Sequence, residues 1–189
     1  MAKSVNQEFL DRKEWRKWLE NNNSSKKEIW VIIHKKKSEI KGLKYQEAVE
    51  EAICFGWIDS KMQSIDAERF RQRFSPRRKT SIWSKNNKEM AERMIQAGKM
   101  TQAGFVKISE AKRNGKWDAA YSSEMGSRIP RDLTKALKED KRAWKNFKKF
   151  SNSTRIQYIY WIRSAKKADT RQKRIHDVVK KAAQNIKPT

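Results

Sequence analysis

Hydrophobic positions in the first third of the chain follow a helical period, then a strand period, then a helical period again. Asp11 and Glu14 have the spacing of a helix capping box, and the helix predicted over 11–21 carries two tryptophans and a leucine on one face. The run at 28–34 is β-branched and aromatic, which is typical of a buried strand. A second helix is predicted over 45–55 and ends at a glycine.

A period of two follows, and it predicts a β-hairpin. The strands are expected at 57–64 and 69–74, with a turn between them and the strand at 28–34 beside them. The second strand of the hairpin alternates arginines with uncharged side chains. One face carries Arg69, Arg71 and Arg73, and the other carries Phe70, Gln72 and Phe74.

From Ser84 onward the pattern is helical. Helices are predicted over 86–97, from Thr101 to Gly115, and then from Pro130, from Asp140, from Ser151, and from Asp169 or Thr170. This order predicts an α+β fold, with a small antiparallel sheet and helices in the N-terminal half and an all-helical C-terminal part. We expect an N-terminal domain over 1–117, a polar connection over 118–129 and a helical region over 130–189, with packing as one unit left open.

The net charge narrows the range of partners. Lys and Arg number 46 against 22 Asp and Glu, for a formal charge of +24, which favours polyanions such as nucleic acid, anionic lipid or acidic protein surfaces. One cysteine cannot form an intramolecular disulfide, and the first residues lack the apolar region of a signal peptide. We therefore expect a cytoplasmic protein without a transmembrane segment.

The most distinctive stretch runs from 55 to 88. From Arg69 to Lys88 it has eight Lys or Arg residues and no carboxylate, so aligned guanidiniums are expected to grip a phosphate or carboxylate. A tryptophan is expected to stack beside them, and an aspartate to orient one arginine. An exposed strand face that uses charge to prevent edge pairing would give the same pattern. The candidate anion-binding residues are Trp57, Asp59, Arg69, Arg71, Arg73, Arg77, Arg78 and Trp83.

A second basic region lies at the C-terminus. Residues 129–189 contain 18 Lys or Arg and five Asp or Glu, which is compatible with nucleic-acid binding. However, Trp144, Phe147 and Phe150 have the spacing of a core stripe, and we interpret them as core.

The residues that could support catalysis are few. Cys54 lies between apolar residues and is interpreted as a buried, unreactive thiol, while His34 and His176 are too isolated to form a metal site. No phosphate-binding glycine loop and no nucleophile elbow is present. We predict no metal, no cofactor and no catalytic residue, and an enzyme is the less favoured possibility.

Several short motifs resemble the YdeI/OmdA family of OmpD-associated, bacteriocin-protection-like proteins. The resemblance spans about residues 9–180. Its motifs are Glu28-Ile-Trp30, Tyr45-x-Glu47-Ala-Val-Glu-Glu-Ala52, Cys54-Phe-Gly-Trp-Ile-Asp59, Arg73-Phe-Ser-Pro-Arg-Arg78, Ser81-x-Trp-Ser84 with Asn87, Gly98-Lys-Met100 with Ala103-Gly104, Tyr158-x-x-Trp-Ile162, Ala165-Lys166, and Thr170-Arg171 with Arg174-Ile175. The resemblance implies protection against bacteriocins or envelope stress and supplies no catalytic residues.

Three functions follow as hypotheses. The first is a non-enzymatic binding or stress-protection protein that holds an anionic ligand on the arginine face. The second is non-specific nucleic-acid binding through the whole basic surface, especially 129–189. The third is an enzyme acting on a small anionic metabolite near Trp57, Asp59 and the arginines. The ligand and the oligomeric state stay open.

Overall fold

A computed structural model describes residues 6–35, Ser38, Ile40 and 42–188, and it confirms the predicted α+β class. The chain forms two compact units, residues 1–120 and 121–189, and each unit has its own hydrophobic core. The division between the units falls inside the stretch 118–129 that the sequence marks as a connection.

The first unit contains all the strands that the structure describes, together with four helices. In chain order its elements are β1 (Asn6–Glu8), α1 (Arg12–Asn22), β2 (Ile29–His34), α2 (Tyr45–Cys54), β3 (Trp57–Ser64), β4 (Arg69–Pro76), α3 (Lys85–Gln96) and α4 (Gln102–Arg113).

The four strands form a mixed sheet in the order β1-β2-β4-β3. The three predicted strands pair antiparallel, with Val31 opposite Gln72 in β2 and β4, and Gln63 opposite Arg71 in β3 and β4. Strand β1 adds a parallel edge beside β2, so the sheet is not purely antiparallel as the sequence suggested. The three residues of β1 are polar and carry no period of their own, which is why sequence patterning missed them.

Helix α1 begins at the predicted cap. The Asp11 side chain accepts the backbone N–H groups of Lys13 and Glu14. The other half of the capping box differs by one residue, because the Glu14 carboxylate accepts the backbone N–H of Leu10 at 2.7 Å instead of that of Asp11. The carboxylate still satisfies a free donor at the helix start, which is the physical purpose of the motif.

An aromatic cluster fills the space between α1, α2 and the sheet. The Trp15 ring contacts Phe9, Trp18 and Phe74, with ring centroids 5.0, 5.3 and 5.4 Å apart. The Trp15 indole N–H donates to the Ala48 carbonyl oxygen at 3.0 Å, so the one polar atom of this buried side chain is satisfied. This core holds α1 and α2 on one face of the sheet and leaves the arginines on the other.

Helix α4 packs closely on the C-terminal end of α2. Thr101 donates its hydroxyl to the Cys54 carbonyl at 2.6 Å, and a Cβ on Gly104 would lie 2.4 Å from the same oxygen. Ile108 and Ala111 are buried on the inner side of α4, whereas Phe105, which shares their helical spacing, is 40% exposed. The close contact between α2 and α4 requires a residue without a side chain at position 104. The buried residues of α4 are therefore Gly104, Ile108 and Ala111.

The second unit is helical. Its elements are a 3-10 turn (Ser123–Gly126), α5 (Arg131–Glu139), α6 (Lys141–Lys149), α7 (Asn152–Arg163) and α8 (Ala168–Ala183). Asp140 and Ser151 cap α6 and α7 as predicted, whereas α8 starts slightly earlier than expected, after Lys167. Phe147 and Phe150 belong to this core, as the spacing indicated.

Across the residues that the structure describes, no helix combines the length and the apolar character needed to cross a bilayer.

Candidate functional site

The arginines of β4 lie on the sheet face opposite the aromatic core. Phe74 and Gln72 are buried on the core side, and Phe70 packs against the core. Arg69, Arg71 and Arg73 alternate with them and contact polar residues of neighbouring strands and turns. We call this surface the arginine face.

Two of the three arginines are neutralised by carboxylates. Arg69 donates from Nε to Asp66 Oδ2 at 2.9 Å, across the turn that precedes it. Arg73 donates from Nε and Nη2 to Glu28 Oε2, at 3.0 and 2.5 Å. The hydrogen bonds from these arginines hold the pKa of Asp66 and of Glu28 below the ordinary values. Both pairs are exposed, so each contributes little to stability.

Arg71 differs from its two neighbours. Its guanidinium carbon lies 4.7 Å from the centroid of the Trp30 ring. Its Nε donates to the side-chain oxygen of Gln63 at 2.8 Å and its Nη1 to that of Asn6 at 3.0 Å. Both acceptors are neutral, and Nη2 donates no hydrogen bond to any residue that the structure describes. Arg71 therefore has no carboxylate partner among the described residues. Its guanidinium is positioned by the Trp30 ring and two neutral side-chain oxygens.

The remaining sequence-predicted residues do not join this face. Trp57 is 1% exposed in the core, and its indole N–H donates to the Asn23 carbonyl at 3.2 Å. Asp59 lies opposite Phe74 in the sheet, so it projects toward the helix-covered side, where its Oδ2 accepts the Tyr45 hydroxyl at 2.7 Å. Asp59 therefore contacts Tyr45 at the start of α2 and does not orient an arginine of the arginine face.

Arg77 and Trp83 form a separate, buried pair. The Arg77 guanidinium lies 3.8 Å from the Trp83 ring centroid, and its Nη1 donates to the Ile82 carbonyl. Trp83 is 2% exposed and packs against Trp117, so its ring is not available to stack on a ligand as the sequence suggested. Arg78 is exposed beside this pair.

A charged cluster between α1, α2 and α3 was missed by sequence reasoning. The Glu51 carboxylate is 1% exposed and accepts hydrogen bonds from Arg12 Nε at 2.5 Å and Arg16 Nη1 at 2.7 Å. Arg12 Nη1 also binds Glu50 at 2.9 Å, and Arg93 reaches the same carboxylate at 3.3 Å. The signal was present in the sequence: Glu51 falls in register with Ala48 and Ala52 on the inward side of α2, and the two arginines of α1 are four residues apart.

The Glu51 carboxylate also shifts the pKa values of the two arginines that bind it and of Cys54. Burial lowers the pKa of Arg12 and Arg16, but hydrogen bonds and charge attraction from Glu51 outweigh it, so the pKa of both is raised. Burial, followed by the charge of Glu51, raises the pKa of the Cys54 thiol to about 12. The thiol is therefore protonated at neutral pH, which makes it a poor nucleophile.

Glu51, Arg12 and Arg16 of this cluster form the floor of a cleft of about 530 Å³. The lining residues are Leu10, Asp11, Arg12, Lys13, Arg16, Gly42, Lys44, Glu47, Glu51 and Lys99. This volume lies in the range of small-ligand sites in proteins. In the part of the chain that the structure describes, no group of three His, Cys, Asp or Glu side chains has the geometry to hold a metal ion.

In the second unit, two partly buried tryptophans are each flanked by two cations. Trp161 has Arg174 at 5.2 Å and Lys181 at 5.7 Å from its ring centroid. Trp144 likewise has Lys138 at 5.9 Å and Lys148 at 5.3 Å. The interpretation of Trp144 as core is therefore only half right, because the side chain is partly buried against the core while Lys138 and Lys148 lie over its ring.

These features define an α+β protein with an arginine-bearing sheet face, a charged cleft and a basic helical unit. The chain belongs to the family described as a domain of unknown function, DUF8412, whose model matches residues 7–107. A second model, described as bacteriocin-protection, YdeI or OmpD-associated (OmdA), matches residues 127–185. The YdeI/OmdA resemblance is thus confirmed for the helical unit, whereas the N-terminal motifs fall within a different family model. No curated protein and no solved structure gives a significant match.

Proposed function

We propose that this chain is a non-enzymatic, YdeI/OmdA-like binding protein that holds an extended anionic ligand on its arginine face. The description of the OmdA family model, which matches the helical unit, suggests a role in bacteriocin protection. The observation that carries the proposal is Arg71, a guanidinium stacked on Trp30 and fixed by two neutral side-chain oxygens. A guanidinium held in this way needs little reordering to bind an anion.

The flanking residues fit an extended ligand better than a small one. Arg69 and Arg73 lie on the same strand face but already have carboxylate partners. They would therefore help to orient a bound ligand and would attract it less strongly than Arg71 does. A sheet face presents its side chains in rows, and a polyanion that follows the strand could contact all three arginines in turn.

The test uses a fluorescein-labelled heparin hexasaccharide and fluorescence anisotropy. We expect Arg71→Ala to weaken binding about fivefold or more, because a charge-assisted contact is lost. Arg71→Lys should recover only part of that loss, since lysine has no planar fork. The control is Arg69→Ala, which removes the same charge from an arginine that is paired with Asp66. Equal losses in Arg71→Ala and Arg69→Ala would contradict the proposal.

A second candidate function is nucleic-acid binding by the helical unit. Residues 129–189 contain 18 Lys or Arg against five Asp or Glu. Within the described part of that segment, Arg171 with Asp132 is the one ion pair, so the other cations there have no carboxylate within ion-pair distance. Trp144 and Trp161 lie among these cations, and basic residues interleaved with aromatic rings are typical of surfaces that bind single-stranded nucleic acid.

Nucleic-acid binding through lysines and arginines predicts an affinity that falls as the salt concentration rises. Anisotropy of labelled single-stranded and double-stranded DNA and RNA would be measured at about 50 and 200 mM NaCl. Binding that survives at the higher salt, and that weakens in the Lys148→Gln/Lys181→Gln variant, supports it. A response to salt that is flat, or binding unaffected by that variant, would exclude it.

A further inference from the structure

The cleft beside α1 and α2 shares no lining residue with the arginine face, so it is a separate candidate site. It lies between the first turn of α1, the start of α2 and the loop that precedes α4. Its floor is the buried Glu51 carboxylate with the guanidiniums of Arg12 and Arg16.

The floor is rigid and internally satisfied. Arg12 is fixed by Glu51 and Glu50, and Arg16 also donates to the Lys99 carbonyl at 3.2 Å. The Arg16 guanidinium lies 5.1 Å from the Phe55 ring centroid. Side chains held by several contacts at once keep the shape of the cleft fixed before any ligand arrives.

Three lysines from separate segments line the same cleft. Lys13 lies in the first turn of α1, Lys44 directly before α2, and Lys99 in the loop after α3. All three are exposed, and none forms an ion pair with a residue that the structure describes. Like charges that line one cleft repel one another, and an anion bound in the cleft would reduce that repulsion.

The carboxylates of the lining are each held in a local structural role, and they offset only part of the positive charge. Asp11 accepts the backbone N–H groups at the start of α1, and Glu47 accepts the backbone N–H of Lys44 at 3.2 Å. Glu51 is bound by the two arginines. Each acidic group in the cleft thus has a local partner, and the lining as a whole keeps an excess of positive charge, with five Lys or Arg against three Asp or Glu.

We propose that this cleft binds a small multivalent anion, such as a phosphorylated or polycarboxylate metabolite, through Lys13, Lys44 and Lys99. The volume accommodates a metabolite larger than inorganic phosphate. Leu10 is 80% exposed at the cleft and offers an apolar contact for the rest of the molecule. Ammonium groups bind phosphoryl and carboxylate oxygens as point charges, so they impose little requirement on ligand shape.

The experiment is isothermal titration calorimetry of the full chain with pyrophosphate and, separately, with citrate. The cleft variant is Lys13→Gln/Lys44→Gln/Lys99→Gln. The control variant, Lys26→Gln/Lys27→Gln/Lys85→Gln, removes the same charge from exposed lysines of the same unit that do not line the cleft. We expect the cleft variant to lose about tenfold or more in affinity and the control about twofold or less. Tighter binding of pyrophosphate than of citrate would assign the ligand to the phosphorylated class, and the reverse to the polycarboxylates.

Equal losses in the two triple variants, or no binding of either anion by the unaltered chain, would overturn the proposal. The cleft variant should lose no more affinity for the hexasaccharide than the control variant does, because Lys13, Lys44 and Lys99 do not lie on the arginine face. A failure of this proposal is thereby distinguished from a failure of the arginine face, which is measured with the hexasaccharide.

Discussion

Glu51 is a charged residue that is almost completely buried. Its carboxylate is 1% exposed, and two guanidiniums from α1 bind its two oxygens. Removing two charges from water costs free energy, and this cost offsets much of the attraction between them. The main effect of the buried pair is therefore to hold the elements that carry it in one arrangement. Here it fixes α1 against α2 and sets the floor of the cleft.

At this residue we predict a measurable loss of stability on neutralisation. Glu51→Gln keeps the size of the side chain but replaces one acceptor oxygen by an NH2 group that faces an arginine donor. We expect a decrease of about 2 kcal/mol in the free energy of unfolding, measured by urea denaturation.

The control for this change is Glu20→Gln. Glu20 binds Arg16 Nε at 3.3 Å but is 51% exposed, so its loss should cost less than about 0.5 kcal/mol. If the two variants were equally stable, the buried carboxylate would not be holding α1.

Among the elements, α2 and α4 approach each other closely at Gly56 and Gly104. Gly56 ends α2 with a φ of +71°, and a Cβ added there would lie 2.8 Å from the Ala103 carbonyl oxygen. The position therefore needs glycine for two reasons, the backbone conformation and the approach of α4.

We predict that Gly56→Ala is destabilising by about 3 kcal/mol, the sum of left-handed backbone strain and overpacking. Gly98→Ala is the matched control, because Gly98 ends α3 at a φ of +66° with open space around it. The control should lose about 1 kcal/mol, from backbone strain alone. Thermal unfolding followed by circular dichroism compares the two, and a Gly56→Ala variant as stable as Gly98→Ala would show that α4 moves away without cost.

For the whole molecule, the dominant property is the formal charge of +24. Like charges on one folded chain repel one another, and the ion pairs among the described residues offset only part of this repulsion. The two units carry the excess differently: the first places carboxylates beside several arginines, whereas the second leaves most of its cations facing solvent.

We predict that salt stabilises this chain. Raising NaCl from about 20 to 300 mM shortens the Debye length several-fold, so self-repulsion in the folded state is screened. The Tm measured by differential scanning fluorimetry should rise by a few degrees over this range. A Tm that falls would mean that the attractive pairs, such as Arg73 with Glu28, outweigh the repulsion.

The sequence alone determined the local elements. Caps such as Asp11, Asp140 and Ser151, together with the helical and strand periods, depend only on residues a few positions apart, so the helices, the hairpin and the α+β class could be predicted. The alternation of arginines along β4 was predictable for the same reason.

Only the tertiary structure decided which polar side chains meet. Arg71 meets Asn6 from a strand too short to show a period, and Glu51 meets Arg12 from 39 residues away. The same holds for Trp83, whose ring is covered by Arg77 and Trp117 instead of facing a ligand. Such contacts depend on how helices and strands pack, and no local pattern encodes the packing of distant elements.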